Sequence, residues 1–221
     1  MPADFLLQRK VFRPGFAVDL AEWQDLLHCL PLMSVITPET FSCETARLSL
    51  RPLAAGDEAL FLGLYTDQET MRHIGRPLSP GQAARVFRAI MAEMQRNPPS
   101  CIYLAMFDRV SHQPLGICGL PRFDAAAIRL EVGLVLIEPA RSRGLAREGL
   151  AALVDRVFTV AAADEVGAQF SRDNPAARRL VAAVGFKVSD ELLAGWPPSP
   201  ECRWSVLRSY WSGIKPFQPL G

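Results

Sequence analysis

The run Ile128-Arg-Leu-Glu-Val-Gly-Leu-Val-Leu-Ile137, continued by Glu138-Pro-Ala-Arg-Ser-Arg-Gly-Leu-Ala146, is the stretch on which the fold turns. Its first ten residues are rich in apolar and β-branched side chains and predict one strand over Ile128 to Ile137. Beyond it, Leu150, Leu153, Val154, Val157 and Phe158 recur at i, i+3, i+4, i+7 and i+8, the stripe of a long amphipathic helix whose first turn lies near Gly144. A strand therefore runs into a helix across Arg141 to Ala146. A small-residue turn at such a junction leaves amides unpaired and points the positive end of the helix dipole outward, so it can hold a phosphate. Gly144 suits close backbone approach, and Arg141 and Arg143 suit a pyrophosphate. The same composition suits an ordinary structural turn, and the turn alone does not choose between the two.

Upstream, Arg47 to Leu53 alternates like a strand, and Asp57 starts a helical stretch with Leu60, Phe61 and Leu64 on one face. Ser79-Pro80 reads as an N-cap with proline in the first turn, and Ala83, Val86, Phe87, Ile90 and Met94 form the apolar face of the next helix. Ile102 to Phe107 and Leu115 to Phe123 are strand candidates. With Ile128 to Ile137 they form an antiparallel meander joined by Asp108 to Pro114 and Asp124 to Ala127. The fold class expected is α/β, with a mixed, mainly antiparallel sheet flanked by helices.

The 221 residues are 49% hydrophobic and 21% charged, the balance of a globular chain with a packed core. A formal net charge of +1 argues against nucleic acid or an anionic membrane as the main partner. The five cysteines are scattered, without a C-x-x-C pair or metal-ligand spacing, so neither a disulfide framework nor a metal is expected. Residues Met1 to Phe16 lack a signal-peptide core, and the apolar run Leu26 to Ile36 is short and broken by His28 and Pro31, so the expected location is the cytoplasm. Residues 1–41 read as an N-terminal helical extension or arm, with Leu20, Trp23, Leu26, Leu27 and Leu30 at helical spacing. Residues 42–211 form the single main domain and 212–221 a tail. The apolar N-terminal stretch makes a homodimer a working hypothesis.

Downstream, Asn174-Pro175-Ala176-Ala177 opens a short helix with a capping Asn and proline at the first position, and Gly185-Phe186 closes it with a left-handed cap and an apolar anchor. At this point the sequence resembles the GNAT superfamily of acyl-CoA N-acyltransferases. Arg141, Gly144 and Ala146 match its [Q/R]-x-x-G-x-[G/A] loop, and Asn174, Ala177, Leu180, Gly185 and Phe186 match its second signature. Glu44-Thr-Ala-Arg-Leu-Ser-Leu-Arg-Pro-Leu53, followed by Asp57, looks like the opening of the ribosomal-protein N-terminal acetyltransferase (RimJ/RimL-like) branch. Glu131-Val-Gly133 and Leu145-Ala-Arg-Glu148 are similar to that branch too.

The resemblance implies a GNAT fold whose third and fourth strands splay from the fifth, with pantetheine pairing to strand backbone near Leu134 and Leu136. It implies that acetyl-CoA places its pyrophosphate on the amides of Ser142, Arg143, Gly144, Leu145 and Ala146, close to Arg141. Asn174 would bond the pantetheine arm or position the loop. Arg178 or Arg179 reaches a terminal phosphate or is simply a solvated helix-face residue. The activity implied is direct transfer of an acetyl group to a primary amine, on a small molecule or a protein N-terminus, without a metal. An acyl-CoA-binding regulatory or interaction module without catalysis is the alternative.

Acetyl transfer needs an unprotonated nitrogen and a proton for the departing thiolate. Glu131 is the candidate base, a lone carboxylate whose alternation puts it on one face with Gly133, Val135 and Ile137, while Leu130, Val132, Leu134 and Leu136 take the other. Its structural alternative is as partner to Arg51 or Arg129. Val181 stands where many relatives carry the tyrosine that protonates the thiolate, which leaves water or Ser171 for that task. Cys118 reads as core, His73 as either an acceptor-pocket wall or an ordinary histidine, and His112 as a turn residue. Trp196 to Trp204 is expected in a hairpin on the acceptor side.

Overall fold

The structure, a computed structural model, describes residues 36–188 and 201–211. The N-terminal helix expected over Asp19 to Leu30, most of the hairpin expected from Trp196, and the tail lie outside the described residues. Phe41, at the end of the stretch set apart as an extension, is fully buried in the larger core and meets the Phe123 ring edge-on at 5.5 Å.

Two sheets carry the described chain. The first runs in the order β1 (Cys43–Glu44), β2 (Leu48–Pro52), β3 (Ile102–Asp108), β4 (Pro114–Leu120), β6 (Gly133–Leu136), all antiparallel. The second runs β5 (Arg129–Glu131), β7 (Glu165–Ser171), β9 (Glu201–Leu207), β8 (Lys187–Val188), with only β5 and β7 parallel. Strand β7, alternating buried and half-buried residues from Glu165 to Ser171, is an element the sequence reading did not assign. Period-two alternation splits the strands between two cores. Leu48, Leu50, Leu104, Met106, Cys118, Leu130, Val132 and Leu136 pack with the long helix, while Ala105, Ile117, Val135 and Ile137 pack on the opposite face.

Helices α1 (Glu58–Thr66), α2 (Gln68–Met71) and α3 (Pro80–Met94) precede β3. Ser79 caps α3 reciprocally: its hydroxyl accepts from the Gln82 amide at 3.3 Å, and Gln82 Oε1 accepts from the Ser79 amide at 2.9 Å. Ala83, Phe87 and Met94 are buried as expected, but Val86 remains 39% exposed because the stripe facing the sheet is narrower than the hydrophobic pattern. Helix α4 (Leu145–Val160) buries the whole stripe from Leu150 to Phe158 against the larger core. Helix α5 (Pro175–Val184) lies against it, and a short α6 (Arg208–Trp211) follows β9. Among the described residues no helix is long and apolar enough to cross a membrane.

The stretch 128–137 departs from the expectation of one strand. Leu130 and Glu131 pair with Val166 and Gly167 of β7, and the Val132 amide still donates to the Gly167 carbonyl at 2.9 Å. From Gly133 on, the register is with β4 alone, Gly133 opposite Gly119 and Leu136 opposite Gly116. The chain changes sheets at Val132 because its two sides find different partner edges, while the in-out alternation of side chains continues across the break. Strands β6 and β7 part there, and the gap between them is a cleft.

Candidate active site

The cleft has a volume of about 280 Å³. Leu134 and Val135 line it from β6, Phe170 and Ser171 from β7, Asn174 and Val181 from α5, and Tyr65, His73 and Tyr103 line it as well. Its strand wall offers backbone on a defined schedule. The Ile137 amide donates to Leu115 of β4 at 2.9 Å, so in an antiparallel ladder the odd positions of β6 face β4. Leu134 and Leu136, the two residues expected to meet pantetheine, therefore direct their amides and carbonyls to the edge that borders the cleft.

The Leu136 carbonyl has a protein partner. Arg141 donates to it through Nε at 3.2 Å and Nη2 at 3.1 Å, and Nη2 also reaches the Thr70 hydroxyl at 2.6 Å. Arg141, expected to assist against a pyrophosphate, thus ties the end of β6 to α2. The chain then turns through Ser142 with φ 59° and Gly144 with φ 76°, both left-handed, before α4 begins. Glycine meets that demand at position 144 without steric cost, whereas Ser142 holds a conformation that disfavours a side chain. Ser142, Arg143 and Gly144 are exposed, and the amides of Leu145 and Ala146 fall in the first helical turn, where no intrahelical acceptor exists. The dipole of the 16-residue helix adds its positive end at the same place.

A clamp that the sequence reading did not identify braces this turn. Glu148 is only 4% exposed and accepts from the Thr45 hydroxyl at 2.6 Å, the Arg47 amide at 2.8 Å and Arg47 Nε at 2.7 Å. Arg47 Nη1 reaches on to the Arg143 carbonyl at 2.9 Å. Burial opposes ionisation of Glu148, but these three donors and the guanidinium charge outweigh it and hold the carboxyl below its ordinary value. The Thr45-x-Arg47 opening and the Glu148 position are therefore one physical unit. The available signal was two short patterns about a hundred residues apart, each recognisable but not visibly joined.

Asn174 caps α5, its Oδ1 accepting from the Ala177 amide at 2.9 Å. The far end closes as expected: Gly185 has φ 103°, the Phe186 amide donates to the Val181 carbonyl at 3.0 Å, and Phe186 and Val181 are both buried. Arg178 and Arg179 are exposed on α5.

Glu131 sits on β5 at the point where the sheets divide, its side chain 25% exposed and 3.8 Å from the Arg122 guanidinium. Of the two arginines considered as its partner, Arg51 makes a two-pronged contact with Asp57 at 2.8 and 2.9 Å, and Arg129 pairs with Glu165 at 2.8 Å. Glu131 lines a second cavity of about 470 Å³ on the face of β5, β7 and β9 away from α4. Gln169 and Ala168 line both cavities, so the two adjoin beside Glu131.

Four other residues take defined places in the fold. Cys118 is buried, and burial pushes its thiol well above the ordinary range, as suits a core residue. His112 has φ 56° in the turn between β3 and β4. Tyr65 and Tyr103, which no sequence signal singled out, both border the cleft, and burial raises the pKa of each phenol. Among the described residues no group of His, Cys, Asp or Glu side chains is placed to hold a metal ion.

Comparison with known proteins finds the same fold. The sequence model of the family described as "Acetyltransferase (GNAT) domain" matches residues 47–187. No curated protein matches the chain in sequence. Among solved structures, an acetyltransferase from Agrobacterium tumefaciens superposes with a TM-score of 0.63 at 21% identity, over 75% of this chain and 93% of that one. Spermidine N-acetyltransferase from Vibrio cholerae, solved with CoA and spermine, gives 0.64 at 17% identity, over 76% and 99%. RimL, a ribosomal-protein alpha-N-acetyltransferase solved with coenzyme A, gives 0.62 at 12% identity, over 74% and 95%. At these identities the likeness is one of fold.

Proposed function

The chain belongs to the GNAT acetyltransferase family, and from that premise we propose that it moves the acetyl group of acetyl-CoA directly to a primary amine, with Glu131 receiving the amine proton. The observation that carries the reading is the parting of β6 from β7 after Val132, which opens the cleft beside Glu131 and turns the Leu134 backbone toward it. An extended amide chain such as pantetheine pairs with strand backbone as another strand would. The left-handed turn and the amides from Ser142 to Ala146 suit its pyrophosphate, with Asn174 on the opposite wall.

Glu131 accepts a proton from the nitrogen as the new C–N bond forms and the C–S bond breaks, and the sulfur leaves as a thiolate that is then protonated. Ser171, at the end of β7 on the cleft wall, or water supplies that proton, since Val181 carries no acid. The Thr45, Arg47 and Glu148 clamp supports placing the chain in the RimJ/RimL-like branch, where the acceptor is a protein N-terminus or a small amine. A second reading, a CoA-binding module without turnover, draws on the buried Val181.

Calorimetric titration with acetyl-CoA and CoA, alongside Gly144→Glu, tests the proposal. Saturable binding that the variant abolishes is the expected result. A folded wild-type protein that binds neither ligand would overturn it.

A further inference from the structure

A short hydrogen-bond network starts at Asp67, the residue ahead of α2. One of its carboxylate oxygens caps the helix, accepting the Thr70 amide at 2.7 Å and the Thr70 hydroxyl at 2.5 Å. A hydroxyl has one proton to give; here Asp67 takes it, which leaves the Thr70 oxygen as an acceptor. Arg141 Nη2 donates to that oxygen at 2.6 Å, across 71 residues of sequence. The Thr70 hydroxyl, then the Thr70 amide, with a further contribution from the Arg141 charge, hold the Asp67 carboxyl below its ordinary value, so it is ionised and accepts only.

The two ends of this network belong to different parts of the cleft. On one side the Arg141 guanidinium also donates to the Leu136 carbonyl, at 3.2 Å from Nε and 3.1 Å from Nη2, and its backbone leads into the turn proposed for the pyrophosphate. On the other side, α2 is four residues long, too short to persist by itself. Met71 anchors it, 5% exposed, and the Met71 carbonyl accepts the Ile74 and Gly75 amides at 2.9 Å each. Helix α2 and the turn after it are thus one small unit, and that turn carries His73 and Ile74, which line the cleft. Ile74 is 51% exposed, so burial does little to hold it. The placement of this pair leans on the polar tie from Thr70 to Arg141.

We propose that Thr70 is a positioning residue: through Arg141 it makes the placement of His73 and Ile74 depend on the turn from Ser142 to Ala146. The proposal rests on the reading of that turn and the cleft as the acetyl-CoA site. A pyrophosphate on the turn amides restrains the backbone that follows Arg141, which keeps the guanidinium against Thr70 and the Leu136 carbonyl and so restrains α2. The cleft-lining pair is then firmest when acetyl-CoA is bound. Such coupling is a difference between the opening equilibria of α2 with and without ligand, and amide exchange reads it directly.

The test measures amide hydrogen exchange across residues 66–78 of the full chain, without acetyl-CoA and at a concentration that calorimetry shows to be saturating for each protein. In the wild type, acetyl-CoA is expected to slow exchange at Ile74 and Gly75 by at least about fivefold. Thr70→Ser keeps the hydroxyl and should keep the slowing. Thr70→Val keeps the size and the capped backbone amide but loses both hydroxyl bonds, so acetyl-CoA should slow exchange there by less than about twofold. Thr70→Ala takes its place if the valine variant does not fold. A threonine that only supports α2 would speed exchange in the valine variant with and without ligand alike, and leave the ratio between the two intact. That result overturns the proposal, as does a wild type that binds acetyl-CoA without slower exchange in this segment. A folded wild type that does not bind acetyl-CoA overturns the reading of the cleft and the coupling together.

Discussion

Arg47 and Glu148, a hundred and one residues apart, meet through the guanidinium Nε at 2.7 Å and the Arg47 amide at 2.8 Å. The same guanidinium supports the carbonyl of Arg143 in the turn ahead of α4. Their contact fixes the loop proposed to hold pyrophosphate. Arg47→Ala is expected to cost about 1 kcal/mol of stability, since its side chain is 44% exposed and screened by solvent. It should weaken acetyl-CoA binding more than it weakens the fold, by about tenfold if one or two charge-assisted bonds are lost from the loop. Denaturant unfolding beside calorimetry separates the two effects, and unchanged affinity in the folded variant would remove the clamp from the binding argument.

The same carboxylate sets an acid limit on stability. Glu148 is held below its ordinary value of 4.5, despite burial, by Thr45 and Arg47. A group whose folded pKa is depressed stabilises the protein above its unfolded pKa and loses that contribution as pH falls through the folded one. Stability should therefore decline from about pH 4.5 downward. Glu148→Gln should be less stable near pH 7 and flatten this part of the curve. Melting temperatures from pH 7 to pH 3 give the comparison, and parallel curves for the two proteins would contradict it.

Ser142 holds a left-handed backbone at φ 59° without being glycine. That region costs an L-residue roughly 1–2 kcal/mol, part of which glycine forfeits through its freer unfolded chain. Ser142→Gly is expected to gain about 0.5–1 kcal/mol, seen as a melting temperature about 2 °C higher. Acetyl-CoA affinity should hold, because the amide is retained. A destabilised Ser142→Gly would show that the serine hydroxyl supports the turn.

Asn174 joins an observed role to a proposed one, and one substitution separates them. Its Oδ1 caps α5 at 2.9 Å from the Ala177 amide, and its side-chain NH₂ group is the donor proposed to meet pantetheine. Asn174→Asp keeps the capping acceptor, so stability should change by no more than about 0.5 kcal/mol. Loss of the donor should weaken acetyl-CoA binding by about tenfold. If Asp binds acetyl-CoA as well as Asn does, the residue only positions the loop.

Glu131→Gln tests the proton acceptor. General-base catalysis contributes roughly 100- to 10,000-fold, so kcat/KM with a productive acceptor should fall in that range. Acetyl-CoA affinity should not move, because the residue lines the larger cavity beside the cleft proposed for the cofactor. Full activity in the glutamine variant would return Glu131 to a structural role with Arg122.

Much of this was legible along the chain. The caps at Ser79 and Asn174, the stripe of α4, the helix start at Gly144 and the alternation that sets Glu131 opposite Leu130 and Val132 are all present in the sequence. Each depends on residues within a turn or two of one another, where propensity and periodicity act directly. The strand Glu165–Ser171 went unassigned, although its burial alternates cleanly in the folded chain.

What the tertiary structure decided is where each local element finds its partner. The break at Val132 exists because β5 lies beside β7 and β6 beside β4, a choice made by strand edges that no periodicity records. Arg141, expected close to a pyrophosphate, is also brought by the fold within reach of Thr70 and the Leu136 carbonyl, contacts that no local pattern records. Arg122, Glu131 and Arg203, far apart in sequence, line one cavity only because separate segments meet there. The sequence by itself determined the longer helices, their caps, the turn that suits a phosphate and the facing of the Glu131 carboxylate, because short-range sterics and burial dictate these. The cleft, the clamp and the charged cavity beside Glu131 were decided by the fold, because ion pairs and strand pairing between distant residues are possible only once the chain has closed.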